Sequence, residues 1–526
     1  MRRFDSKQIR IMTKSLLTAC SVLFTTIVLS QGLSSDEIDS IVGSAMKASP
    51  HAGIAVVVVK DGKIIHEKGY GVTSIETKEK VNEHTRFGIA SNSKAFTATA
   101  LSMLVDEGKL KWDDKVVDIL PEFKTYDEYV TLEYTITDLL THRSGLGLGA
   151  GDLMWIPDGN DYTMTEILEN FQYQKPVSNF RLNYNYNNLM FIVAGEIVAR
   201  KSGMSWCDFV ETRIMKPLNM TESAGKQPRL TIQTNVAFPH ELKGKKLVQL
   251  PHMQIHKAEA AAGIYASVHD LASWMILNLN DGMNGNDTLI SKVNHDMMWK
   301  PHINNSFSVV PRGHYKSRLS GYGLGWSVDD YNGYTVIGHG GGLPGMLSKT
   351  RMIPELGVGV IVLTNADPGG YSYEMVSRAI IDSYVEVTPL DWVTIGNDVI
   401  ERNHNEEDSV MSAVWKQVKK AGKSAPKMNE MVGTYNDKWF GDITIEFMDD
   451  KLWLTSKRSS QLNGPVLFYE NDTCVVKWEY TQMECNVFAN FKRDSDRNII
   501  GLTMKGISPN IDFSFDFHDL DFKKIK

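Results

Sequence analysis

The chain has 526 residues, 42% of them hydrophobic, and a formal net charge of -7. Single cores seldom grow beyond about 250–300 residues, so more than one structural unit is expected. Charges of both signs are spread along the chain, and the absence of an extended basic field argues against nucleic acid as a partner.

Arg2, Arg3, Lys7, Arg10 and Lys14 precede an apolar run from Ser15 to Leu29 that ends in Ser30-Gln31-Gly32. Residues 1–30 read as a signal peptide cleaved after Ser30, which implies a secreted, extracellular or periplasmic protein. The run lies near the lower length limit for spanning a bilayer, about 17 residues, so an uncleaved anchor is the alternative. Cleavage would leave Cys207, Cys474 and Cys485, an odd set that argues against a disulfide scaffold. Cys474 and Cys485 suit either a bridge between two strands or a pair of buried thiols. Asn219, Asn286, Asn304 and Asn471 open Asn-x-Ser/Thr sequons.

Gly53 to Lys60, the turn Asp61-Gly62 and Lys63 to His66 predict a β-hairpin. Phe96, Ala100 and Leu104 recur on one helix face, and Gly108 supplies a stop. Further helices are predicted at 137–140, 189–199 and 270–279. Strands follow at 323–328, 334–337, 347–352 and 358–363, separated by Gly, Asn, Asp or Pro. One antiparallel sheet drawn from both ends of a unit over residues 33–385 accounts for this order, with a mainly helical region between its halves.

Residues 386–426 are polar and suit an exposed linker with a helix. Residues 427–526 change character: short aromatic runs such as 443–447, 451–454, 475–478, 487–491 and 513–517 predict a small all-β barrel or sandwich. The fold class is therefore α/β (α+β), an antiparallel sheet flanked by helices plus an all-helical region, followed by a β-barrel.

Ser91 stands three residues before Lys94 where a strand-like stretch passes into an amphipathic helix, so both side chains fall on one helical face. Ser44/Lys47 and Ser424/Lys427 share the spacing but lack the other elements in sequence order. An ordinary lysine, with a pKa of about 10.4, cannot accept a proton, so the pair needs burial or a tyrosine neighbour. Tyr186 suits that role as a phenolate sharing a proton with Lys94. Gly338-His339-Gly340-Gly341-Gly342 follows a β-run and lets a substrate lie along the strand. The amides of Ser91 and Gly342 are the simplest oxyanion donors. No Gly-x-Ser-x-Gly elbow occurs, which argues against an α/β-hydrolase. His252 and His256 lack a third ligand at metal spacing, and neither a metal nor a cofactor is called for.

Phe87 to Lys94, Leu139-Leu140-Thr141-His142-Arg143-Ser144-Gly145-Leu146, Tyr186-Asn187-Asn188 and Gly338 to Gly345 closely resemble the serine β-lactamase family of the class C type. That family includes penicillin-binding DD-peptidases, D-amino-acid peptidases and related esterases. The resemblance covers about Ser35 to Val385 and implies Ser91 as the acylated nucleophile, Lys94 as its activating partner and Tyr186 as general base. It implies Asn188 as a contact to lysine and to a substrate amide, and His339, Gly340, Gly341 and Gly342 as the substrate-strand motif. The C-terminal barrel is similar to the β-domain appended to some members.

His339 stands where β-lactamases and DD-peptidases usually carry lysine, so a permanent cation for a substrate carboxylate is missing. The reading is a secreted serine hydrolase acting on a small-molecule or peptide amide or ester. Its alternative is a non-catalytic secreted or extracellular-matrix protein that retains the scaffold. Two loops, about 147–173 and 303–320, are expected to shape the cleft.

Overall fold

Ser34 begins the first helix among the described residues by a reciprocal cap: its hydroxyl accepts from the Glu37 amide while the Glu37 carboxylate takes the Ser34 amide, opening α1 (Ser35–Ala48). The valine-rich run after it forms β1 (Gly53–Lys60). Asp61 and Gly62, both at positive φ, turn the chain into β2 (Lys63–Gly71) as the hairpin signal predicts. The structure is a computed structural model describing residues 32–244, 246–305, 312–367, 370–422 and 428–526. The leader expected at residues 1–30 and the Ser424/Lys427 pair lie outside the described residues, as does part of the 303–320 loop.

The central helices are α2 (Ser93–Asp106), α3 (Asn188–Ser202) and α4 (Val268–Leu279). Beyond them come β3 (Ile303–Asn304), β4 (Ser320–Tyr322), β5 (Ser327–Tyr331), β6 (Tyr334–Leu343), β7 (Met346–Ile353) and β8 (Val358–Thr364). These strands and the N-terminal hairpin make one antiparallel sheet in the order β2-β1-β8-β7-β6-β5-β4-β3, with Val57 opposite Ile361 at the junction of the two sequence ends. The sheet assembled from both ends is thus present. Residues 323–326 are not part of β5: the Leu324 amide bonds Met298 O instead, which draws the chain toward the helices before the strand begins.

Alternation sorts the residues of β1 between two cores. Ala55, Val57 and Val59 pack with the central helices, while Ile54, Val56 and Val58 pack with α1 and with α5 (Gly370–Asp382) on the other face. Helix α2 differs from the one-faced pattern expected of it. Every residue from Ser93 to Leu104 is buried, because the helix is packed among other helices, α3 foremost, instead of along the surface.

The polar connection is largely one helix, α6 (Trp392–Ala421). Trp392 is buried with α5 at one end, and Val414 packs with Val475 and Ile507 of the C-terminal unit at the other. That unit comprises β9 (Gly433–Asp437), β10 (Gly441–Met448), β11 (Lys451–Ser456), β12 (Asn463–Glu470), β13 (Thr473–Val476), β14 (Val487–Arg493), β15 (Ile499–Gly506) and β16 (Asp521–Lys524). The strands close into an eight-stranded barrel, with β16 pairing back onto β9. Residues 513–517, expected as a strand, instead form a turn leading into a short 3-10 helix. Phe515 and Phe517 are buried, whereas Phe513 lies edge-on to Tyr186 of the N-terminal unit. Cys207, Cys474 and Cys485 are free, buried thiols, so the bridge alternative for the last two is not realised.

The barrel is bound to one stretch of the helical region. Arg458 pairs with Asp161 (2.5 Å) and Glu166 (3.0 Å) and lies over the Tyr162 ring. The Tyr162 hydroxyl donates to Phe440 O (2.6 Å), and Asn170 donates to Trp439 O (3.0 Å). The 147–173 loop therefore seats the barrel, and its Trp155 and Ile156 also line the cleft as expected.

Candidate active site

Ala90 at φ +49 sets up a 3-10 turn, Ala90–Asn92, that presents Ser91 just ahead of α2. A non-glycine residue in that region carries strain and is held by its surroundings. Here β7 supplies the hold: Ser348 Oγ donates to Ile89 O (2.6 Å) and accepts from Asn92 Nδ2 (2.8 Å). Gly341 of β6 crosses directly over the turn. A Cβ at that position would lie 2.3 Å from Ile89 O and 2.9 Å from Ser91 N, so only glycine allows the strand this close.

Lys94 is fully buried, and its Nζ donates to Ser91 Oγ (2.9 Å), Asn188 Oδ1 (2.7 Å) and Ala261 O (2.9 Å). Burial lowers its pKa to about 7, against the opposing pull of Asp152. The ammonium also sits 4.8 Å from the Tyr186 ring centroid. Burial holds the Tyr186 phenol well above its ordinary value, partly offset by its hydrogen bond with Ser91. Of the two partners proposed for the proton, the environment therefore favours a neutral amine over a phenolate near neutral pH.

Asn188 begins α3, capped by Asn187, whose side chain accepts from Met190 N. The backbone amide of Asn187 donates to His142 Nδ1 (3.0 Å), and the His142 ring packs 4.3 Å from that of Tyr186. His142 therefore fixes the placement of the Tyr186-Asn187-Asn188 segment, a role the sequence motif did not reveal. Asn188 spends one amide hydrogen on Asp152 Oδ2 (2.7 Å). Asp152 is wholly buried, and burial pushes its carboxyl up to about 7 despite stabilising groups on Asn188, Trp155 and Ser514. Asp152 was not foreseen, since nothing about one acid in a loop signals contact with residues so distant in sequence.

His339 is buried. Its Nδ1 faces Gly340 O and must donate, which leaves Nε2 to accept from the Tyr322 hydroxyl at 2.8 Å. Burial, with Lys94 and Lys349 nearby, lowers its pKa to about 3, so it is neutral and supplies no cation. Lys349, paired with Gly340 across β6 and β7, directs its ammonium to Glu374 (3.0 Å). The β5–β6 ladder ends at Gly338 opposite Ser327, whereas β7 continues to pair through Leu343. Among the described residues, 339–343 thus has a strand on one edge and faces the cavity with the other. Such an edge accepts an extended backbone by added-strand hydrogen bonding.

Ser91, Tyr186, Asn188 and residues 339–342 all line a cavity of about 410 Å³, with Lys94 beneath. The structure brings together every site residue singled out by sequence. His252 instead packs between Phe238 and Tyr265, and burial lowers its pKa to about 4.

Comparisons with known proteins agree with this architecture. A hydrolase of unguisins from Aspergillus campestris is 27% identical over 358 residues, covering 65% of this chain and 64% of the relative. The chain spans less than two thirds of the length of the curated relatives it matches first. The octameric penicillin-binding protein homologue from Pyrococcus abyssi superposes with a TM-score of 0.58 at 21% identity, covering 94% of this chain and all of that one. A class C β-lactamase from Rhodobacter sphaeroides gives 0.55 at 19% identity over 66% of this chain and 99% of that one. Among the described residues no helix is long and apolar enough to cross a membrane. Residues 417–524 match a domain of unknown function, DUF3471, and residues 38–383 match the Beta-lactamase model, so the chain belongs to the Beta-lactamase family.

Proposed function

We propose that the protein is an exported serine hydrolase that cleaves an amide or ester bond through an acyl-enzyme on Ser91. The observation that carries this reading is the 2.9 Å contact between Ser91 Oγ and a fully buried Lys94 whose pKa is lowered to about 7. Neutral Lys94 takes the hydroxyl proton as Oγ attacks the carbonyl carbon, and the amides of Ser91 and Gly342 receive the oxyanion. The proton then passes, with Tyr186 as the bridging hydroxyl, to the departing amine or alcohol. Water entering in its place gives up a proton to the same pair and releases the carboxylic acid, restoring Ser91.

Fluorophosphonate labelling followed by intact mass tests the assignment. Label should be lost in Ser91→Ala and retained in Ser44→Ala, since Ser44 is an exposed helix residue whose hydroxyl only bonds Ser40 O. Equal labelling of the two variants sinks it. Export rests on the basic and apolar N-terminal segment, and a mature protein beginning at Gln31 is its signature.

A further inference from the structure

The barrel does more than sit beside the cleft. Its β15–β16 connection turns at 512–514 and lines the same cavity as Ser91. Phe513 meets the Tyr186 ring edge-on, with centroids 5.6 Å apart, yet stays 36% exposed toward open space. Ser514 is buried and acts on Asp152. Two residues on, Asp516 accepts from the amides of Gly151 (2.6 Å) and Leu153 (3.2 Å), the residues flanking Asp152. The fit is close from the other side as well. Gly149 stands at φ +71, and a Cβ there would lie 2.5 Å from Phe513 O.

Apart from Lys94 beneath Ser91, the ionisable groups facing the cavity are acidic or neutral. Asp367 and Asp512 line it, and no lysine or arginine does among the described residues. Burial raises both carboxyls, Asp367 to about 6 with reinforcement from Asp512 and Glu407, which places the two acids in one field. A substrate carboxylate entering there would meet repulsion in a poorly solvated setting, and a substrate ammonium would meet attraction.

We infer that the barrel's 512–514 turn is a wall of the substrate site, with Phe513 and Asp512 as specificity-determining residues that favour amine-bearing or neutral acyl groups over carboxylate-bearing ones. This deepens the hydrolase reading and rests on it for turnover. It also gives the C-terminal domain a role at the reacting bond.

The test uses the full chain and a series of p-nitrophenyl esters of one acyl length, ending in ammonium, methyl or carboxylate. Wild type should show kcat/KM for the ammonium ester at least about tenfold above the carboxylate ester. Asp512→Asn should shrink that ratio several-fold. Phe513→Ala should raise KM for the methyl ester several-fold, and Phe513→Leu should restore part of it. Phe447→Ala, on the exposed face of the barrel, should change neither.

Calorimetric affinities of the matching anilides for Ser91→Ala protein, with and without Asp512→Asn, should follow the same charge order without any turnover. Unchanged ratios in both measurements, with folded variants, overturn the inference. Failure of the fluorophosphonate to label Ser91 in the wild-type protein overturns the hydrolase reading separately, because the anilide affinities do not depend on it.

Discussion

Lys94 and Asp152 are joined through Asn188, whose Oδ1 accepts from the lysine at 2.7 Å and whose amide donates to the carboxylate at 2.7 Å. Each charge is wholly buried, and each is drawn toward neutrality by that burial, so their protonation states are linked through one intervening side chain.

This linkage sets the pH dependence. A neutral Lys94 is the base, so kcat/KM should rise with pH through about 7. Asp152 favours the lysine's charged form, and Asp152→Asn removes that support. The acid limb should therefore move to lower pH in a kcat/KM profile, and a limb that stays put or moves upward contradicts the assignment.

Replacing Tyr186 with phenylalanine keeps the ring over Lys94 and removes only the hydroxyl, which lies close enough to Ser91 to feel it. Turnover should drop by about 10²–10⁴-fold. A pre-steady-state burst that outlives the loss of turnover would place the hydroxyl chiefly in the water step.

At residues 340 and 341 the same substitution should behave oppositely. A Cβ on Gly341 would lie 2.3 Å from Ile89 O, whereas on Gly340 its first neighbour is the flexible Lys349 Nζ at 3.6 Å. Gly341→Ala should abolish labelling of Ser91 or slow it by orders of magnitude, while Gly340→Ala should retain labelling at a measurable rate. Indistinguishable labelling of the two would show that β6 does not press on the nucleophile turn.

Asp516 offers a stability readout. It is wholly buried, and burial together with Asp152 raises its pKa well above the usual carboxyl value. A carboxyl with a raised folded-state pKa contributes most below its unfolded pKa, and that contribution fades as pH climbs. Asp516→Asn cannot ionise. Its Tm deficit relative to wild type should be larger at pH 5 than at pH 8 in thermal unfolding, and the reverse order would remove Asp516 from this account.

What could be read from the chain was whatever depends on local spacing. The hairpin at Asp61-Gly62 follows from turn chemistry, and Ser91, Lys94, Tyr186, Asn188 and 339–342 stand out because each belongs to a short run of distinctive residues. Asp152, His142 and Phe513 act through contacts between remote segments. Asp152 lies 36 positions before Asn188 and is isolated among loop residues. Phe513 looked like one more alternating aromatic, and only the docking of the barrel against Gly149 shows why the backbone there turns out of the strand pattern.

Helix α6 acts as a spacer of about 45 Å at 1.5 Å per residue, gripped by Trp392 at one end and by Val414 near the other. Adding or removing a single residue between those grips would rotate the barrel by about 100° about the helix axis and swing Phe513 off Tyr186. A whole added turn would restore that angle yet push the barrel about 5.4 Å along the axis and part Asp516 from Gly151, so the strut fixes reach as well as angle.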